Sequence, residues 1–229
     1  MSSEKTLKRI AEKKLLYKPQ PFNNNFSYPS SNGEIKLINK SAIIHIEKLA
    51  QNKYNKSLSL SDIQEINKTI DPEFSGFFRE QFKIFQIESK TNGIIYNIPS
   101  GIELVKYSQD VIKYLNNSDN HPIIRAALAH IKFIILHPFN NGNGRTAHLL
   151  MNLILLQNDY PITEIANLDD AYQYNELLKK VSDSNPYYEI LKPNFDHDSL
   201  CDFSFFICKM VEKSLDQLIN QTSDSPNFN

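Results

Sequence analysis

The chain has 229 residues, 25 Lys and Arg against 26 Asp and Glu, and a formal net charge of −1 at neutral pH. At 41% hydrophobic and 22% charged it has a globular composition, enough for one core or one core with a small satellite. The balance excludes bulk attraction to nucleic acid or an anionic membrane, so neither is an expected partner and only local basic patches remain.

No apolar run approaches the ~18 residues of a membrane span; the densest, Leu149 to Leu156, contains Asn152. The start, MSSEKTLKRIAEKK, lacks the apolar stretch of about 7–15 residues in a secretory leader. Cys201 and Cys208 fall two turns apart on one helical pattern, roughly 10 Å along the axis, which is too far for a disulfide. There is no CxxC for zinc. The expected location is cytoplasmic with reduced thiols, or secretion into a host cell by a non-classical route.

In chain order, residues 1–16 read as a basic amphipathic segment, and 17–33 (YKPQPFNNNFSYPSSNG) as loop. Helical period begins at Lys36, with Ile38, Ala42, Ile46 and Leu49 on one face. Ser59 or Ser61 caps a helix carrying Ile63, Ile66 and Ile70. FREQFKIFQIE, a turn at Thr91–Gly93 and IIYNIP predict a β-hairpin, with Pro99 confining its second strand to an edge. From Gly101 a helix aligns Leu104, Tyr107, Val111 and Tyr114. His121-Pro122 then opens a helix over Ile123–Leu136 that is apolar on most sides. A loop, HPFNNGNGR, leads to a second nearly all-apolar helix from Thr146 to Gln157, and two more cover 169–183 and 199–220. The fold class is all-α: a helical bundle with one small β-hairpin.

The loop His137–Arg145 holds two of the six glycines, Gly142 and Gly144. Glycines let successive backbone N–H groups converge, and the following helix N-terminus adds unpaired donors and a positive dipole end. Such a turn suits phosphate, and Arg145 can clamp it bidentately. A plain flexible connector with a solvated Arg145 is the other reading. No GxxxxGK is present, so this is not a Walker loop. His137 ends the preceding helix, either as a simple cap or as an acceptor for a hydroxyl proton.

HPFNNGNGRTAH resembles the Fic (Fido) family motif HxFx[D/E]GNGRxxR. The likeness extends in order from about residue 57 to 219 through LSLSDIQEIN, GFFRE, IIYNIP, HPIIRAALAHIKFIILHPF and RTAHLLMNLILLQNDYPIT. The resemblance implies a Fic-fold helical bundle with a β-hairpin flap beside the active-site loop. It implies a protein adenylyltransferase using ATP and Mg²⁺ (or Mn²⁺) to transfer AMP to a Ser, Thr or Tyr hydroxyl of a target protein. On it, His137 is the general base and Phe139 anchors the loop. Gly142, Asn143 and Gly144 form the phosphate hole, and Arg145 holds the β-phosphate. Ile95, Tyr96, Asn97 and Ile98 form the flap that binds the target by strand addition. The expected divisions are an N-terminal segment over 1–56, a Fic domain over 57–220 and a polar tail over 221–229.

Two positions depart from the family pattern. Asn141 stands where the family has a metal-binding Asp or Glu, which implies weaker Mg²⁺ affinity. His148 stands where a second Arg contacts the nucleotide's γ-phosphate. Upstream, Ser30 and Glu34 fit the spacing of the family's inhibitory helix [S/T]xxxE[G/N], with Ile35 off-pattern; Glu34 is the expected inhibitory residue, or else an exposed acid. Because its partner position is His148, inhibition is expected to be relaxed or to depend on His148 protonation. Competing readings are a degenerate Fic domain that binds nucleotide or protein without turnover, a Fic enzyme with another phosphate-containing donor, and a de-AMPylating enzyme. Of the remaining histidines, His130 reads as core, His121 as a cap and His197 as loop. Arg79 reads either as orienting flap or nucleotide or as a structural ion pair. Residues 1–27 are open to packing on the core, mediating a homodimer or staying disordered.

Overall fold

Two helices with almost no polar face organise the molecule. In α5 (Pro122–Leu136) only Ile134 escapes burial between Ala126 and Leu136, and in α6 (Asn143–Leu156) every residue from Thr146 to Leu155 is buried. A helix apolar all round must be covered on all sides. The computed structural model describes residues 3–19, 22, 26–30, 34–52, 57–71, 73, 76–79, 85–88, 95–98, 101–184, 190–191 and 198–223, with 85–88 and 95–98 as backbone.

The covering elements are amphipathic. They are α1 (Ser3–Lys14), α2 (Lys40–Asn52), α3 (Leu60–Ile70), α4 (Gly101–Asn117), α7 (Leu168–Ser184) and α8 (Asp198–Ser223). Helices α2 and α3 pack on α6, α4 and α8 pack on α5, and α1 and α7 pack on α8. The Phe203, Phe206, Ile207, Met210 and Val211 stripe of α8 is buried, as its helical spacing predicts. Arg9 and Lys13 of α1 reach Glu212 at 2.8 and 3.0 Å, and Lys13 reaches Asp216 at 2.7 Å. The basic N-terminal segment is therefore a docked helix. Ser59 and Asp62 form a reciprocal capping box at the start of α3. His121 caps α5, with Pro122 at its first position.

The expected hairpin forms: β3 (Phe85–Glu88) pairs antiparallel with β4 (Ile95–Ile98), Phe85 opposite Ile98 and Glu88 opposite Ile95. Its predicted turn at Thr91–Gly93, and Ile94 and Pro99, lie outside the described residues.

A second hairpin corrects the sequence reading. Residues read as loop contain β1 (Phe26–Pro29), and β2 (Ile35–Ile38) takes in Lys36 to Ile38, read as the start of a helix. They pair antiparallel, Phe26 opposite Ile38. Helix α2 begins only at Lys40, after Asn39 accepts the Ala42 N–H in its side chain. The Pro- and Asn-rich composition hid a short alternation in which Phe26 and Tyr28 turn inward.

Candidate active site

The connection between α5 and α6 is the loop singled out above, and nearly every turn of it is bonded from within or from a neighbouring element. Helix α5 ends at His137, whose backbone is left-handed (φ 46°, ψ 56°) and whose N–H donates to Phe133 O at 3.1 Å. Pro138 follows and stops the helix. Phe139 is 1% exposed, with its ring 5.9 Å from Phe133 and 5.4 Å from Phe78. It anchors the loop as expected.

Asn143 is also buried, and both ends of its amide are spent on the loop. Its Oδ1 accepts the Phe139 N–H at 2.9 Å and its Nδ2 donates to Phe139 O at 2.8 Å. Any ligand contact from Asn143 comes through its backbone N–H. Gly142 caps α6 at φ 79°, a region a side chain adopts only at a cost of about 1–2 kcal/mol. The first intrahelical bond runs from Thr146 N–H to Gly142 O at 2.8 Å. The N–H groups of Asn143, Gly144 and Arg145 precede it and so project from the helix end. A Cβ built on the exposed Gly144 meets no atom within 4 Å, so packing does not require glycine there. Glycine keeps the space over the helix N-terminus clear for a close-approaching ligand.

Two residues outside the loop hold its ends. Asn67 of α3 is 2% exposed, and its Nδ2 lies 3.0 Å from Asn141 O and 3.1 Å from Thr146 Oγ1. Sequence reasoning missed Asn67, although a lone amide inside the Ile63–Ile66–Ile70 face was the available signal. Arg79, fully buried, donates its N–H to Pro138 O and its Nε to His137 O, both at 2.8 Å.

Burial, and secondly the Arg79 charge, lower the half-buried His137 imidazole to about 4 against an opposing hydrogen bond to the Ile134 backbone. The ring is therefore neutral near pH 7. A neutral imidazole has one ring nitrogen without a proton, which is a proton acceptor.

His148 lies elsewhere. It is 1% exposed, and its ring stands 4.4 Å from His130, 5.4 Å from Tyr174, 5.5 Å from Tyr28 and 6.2 Å from Phe26. Burial first, and His130 second, push its pKa well below the ordinary value. The structure thus parts His148 from the exposed loop and covers it with β1. That hairpin is held by the Ser27 N–H on Glu164 at 2.6 Å, and Thr163 is in turn bonded to Asn152 of α6 at 2.7 Å. His130 is fully buried against Tyr174, 2.7 Å from its hydroxyl, which makes it a core histidine.

The helix expected around Glu34 is instead the turn end of the β1–β2 hairpin. Ser30 and Glu34 do meet, but through the Glu34 carbonyl, which accepts from Ser30 N and Oγ at 2.9 Å each. The Glu34 carboxylate is 65% exposed, 3.9 Å from Lys36. The hairpin side chains that touch His148 are Phe26 and Tyr28. Ile95, Tyr96, Asn97 and Ile98, the expected flap, form β4. Strand β3 starts six residues after Arg79, which tethers the hairpin within about 20 Å of the loop.

For a divalent cation, the loop offers the amide of exposed Asn141 and no carboxylate. Among the described residues no group of three or more His, Cys, Asp or Glu is placed to hold a metal. Mg²⁺ favours one or two carboxylates together with phosphate oxygens. The donor set therefore fits a cation that arrives with a nucleotide, not one retained by the protein alone. Among the described residues no helix is long and apolar enough to cross a membrane.

Residues 57–155 match the family model described as the Fic/DOC family. The chain belongs to the Fic family. It is 31% identical over 176 residues to a protein adenylyltransferase Fic of Drosophila yakuba, covering 74% of this chain and 31% of the relative. Against the Drosophila erecta protein of that name it is 31% identical over 199 residues, covering 84% of this chain and 34% of the relative. The chain thus spans about a third of the length of these curated relatives. A Fic domain containing signaling protein from Bacteroides thetaiotaomicron superposes with a TM-score of 0.70 at 23% identity, covering 97% of this chain and 92% of that one. That likeness speaks for the fold: all-α with a small hairpin.

Proposed function

We propose that this Fic chain is a protein adenylyltransferase that transfers AMP from ATP to a Ser, Thr or Tyr hydroxyl of a target protein. The observation that carries the reading is one bonded turn joining a neutral, half-buried His137 to the open N-terminus of α6. The backbone N–H groups of Asn143 and Gly144 and the Arg145 guanidinium bind and orient the phosphates. His137 accepts the proton of the target hydroxyl through its unprotonated ring nitrogen as that oxygen attacks the α-phosphorus, and pyrophosphate leaves. The bound phosphates favour the imidazolium, so the base strengthens when the nucleotide is in place. Asn141 would hold a Mg²⁺ arriving with the nucleotide, and the ion would supply neutralisation of phosphate charge. The edge of β4 away from β3, unpaired among the described residues, pairs with an extended target segment.

A second reading draws on His148. With that ring enclosed, Arg145 supplies the only positive side chain between His137 and Leu149. This favours a donor with a shorter or differently substituted phosphate end than ATP.

The test incubates wild type, His137→Ala and Asn141→Asp with α-labelled ATP, Mg²⁺ and a cell lysate, with other nucleoside di- and triphosphates in parallel. A labelled band that His137→Ala abolishes and Asn141→Asp strengthens is expected. Labelling only from another donor selects the second reading. Calorimetry with no nucleotide bound to the wild type would sink both.

A further inference from the structure

Two bonds converge on the backbone that carries the proposed base, and both come from Arg79. This residue has no exposed surface, although a buried cation loses several kcal/mol of hydration. Its N–H and Nε bond adjacent carbonyls, those of Pro138 and His137, each at 2.8 Å. Both sides of the His137–Pro138 link are thereby fixed. His137 sits at φ 46°, a conformation that costs a non-glycine residue about 1–2 kcal/mol and persists only where the surroundings impose it.

The route that delivers Arg79 is equally constrained. Gly76 has φ +71°, and a Cβ on it would meet Gln64 O of α3 at 2.5 Å, so Gly76 lies tight against that helix. Phe78 bridges to Phe139. The arginine therefore arrives on a braced strand-like segment that bonds directly to the loop, six residues ahead of β3.

We propose that Arg79 is a positioning residue for His137, imposing through the His137 carbonyl the left-handed backbone from which the imidazole works. The inference rests on the reading of His137 as base. A merely structural arginine supports stability alone; this one also sets a fixed positive charge beside the ring, where it opposes protonation.

Two variants separate these roles in the full chain. Arg79→Gln removes the charge and keeps a polar head, whereas Arg79→Lys keeps the charge and loses the planar Nε–carbonyl bond. The first readout needs no turnover: an NMR titration of the His137 ring, assigned against His137→Ala. In Arg79→Gln the midpoint rises from about 4 by about one pH unit, and in Arg79→Lys it rises less. The second readout is labelling kinetics. Both variants lose about 10- to 100-fold in kcat while KM for ATP changes less than about threefold.

An unmoved midpoint in Arg79→Gln, or a loss carried by KM alone, overturns the proposal and leaves Arg79 as a brace. Thermal melting confirms that each variant is folded; if Arg79→Gln does not fold, Arg79→Lys carries the test through its kcat loss. A wild type that binds no ATP overturns adenylyl transfer, while the titration still decides the role of Arg79.

Discussion

His137 and His148 flank the same glycine turn, and both imidazoles are held neutral by burial. Their surroundings otherwise have little in common. His137 keeps an open side and has Arg79 on its own carbonyl. His148 is enclosed by Phe26, Tyr28, His130 and Tyr174, and its Nε2 has no hydrogen-bond partner among the described residues. A depressed pKa therefore does not mark a working residue. Access and a polar frame do, and these differ across eleven residues of one chain.

The largest expected effect breaks the comparison directly. His137→Ala lowers the labelling rate at least about 100-fold, as removal of a general base does. His148→Phe, which stays within the ring cluster, leaves it within about threefold. Equal losses in the two variants would mean that the hairpin opens and His148 reaches the nucleotide.

Acid stability sharpens the same contrast. His130, His137 and His148 all have folded pKa values below the unfolded value of about 6.5. Above that pH both states are neutral and these groups add no pH dependence. As pH falls below it, the unfolded chain takes up protons that the folded chain refuses, so stability declines. The slope is up to about 1.4 kcal/mol per pH unit for each histidine. The decline from His130 and His137 levels near about 4, their folded values. Urea unfolding from about pH 7 to 4 follows it, and His148→Phe removes one histidine's share of the slope.

The loop's support is the next test. Asn67→Leu strips the partner from Asn141 O and Thr146 Oγ1 and lowers stability by about 1–3 kcal/mol in urea unfolding. Its labelling rate falls less than that of His137→Ala. The smallest effect on stability is at Gly144. Gly144→Val leaves the melting temperature nearly unchanged, since no atom lies within 4 Å of a Cβ there. Its nucleotide affinity, read by calorimetry, drops about tenfold as the side chain fills the space over the helix end.

Much of this molecule is legible in one dimension. Helix period, the Ser59 cap, Pro122 at a helix start and the run HPFNNGNGR are local signals, because each depends on spacings of a few residues. They give the helical bundle, the β3–β4 hairpin and the turn between the two most buried helices. The β1–β2 hairpin was hidden because four-residue strands in a Pro- and Asn-rich stretch carry almost no period, and their pairing partner lies beyond the turn.

What only tertiary structure decided is which side chains share a space. Asn67 and Arg79 reach the loop across 74 and 58 residues of sequence, and no local rule pairs an amide on α3 with a carbonyl at Asn141. The fate of His148 was also decided there. Its place in the motif suggests a phosphate contact, yet the hairpin that seals it is drawn in by Phe26 and Tyr28 seeking burial. Backbone period is fixed by neighbours along the chain, whereas burial and charge environment are fixed by whatever the fold brings beside them.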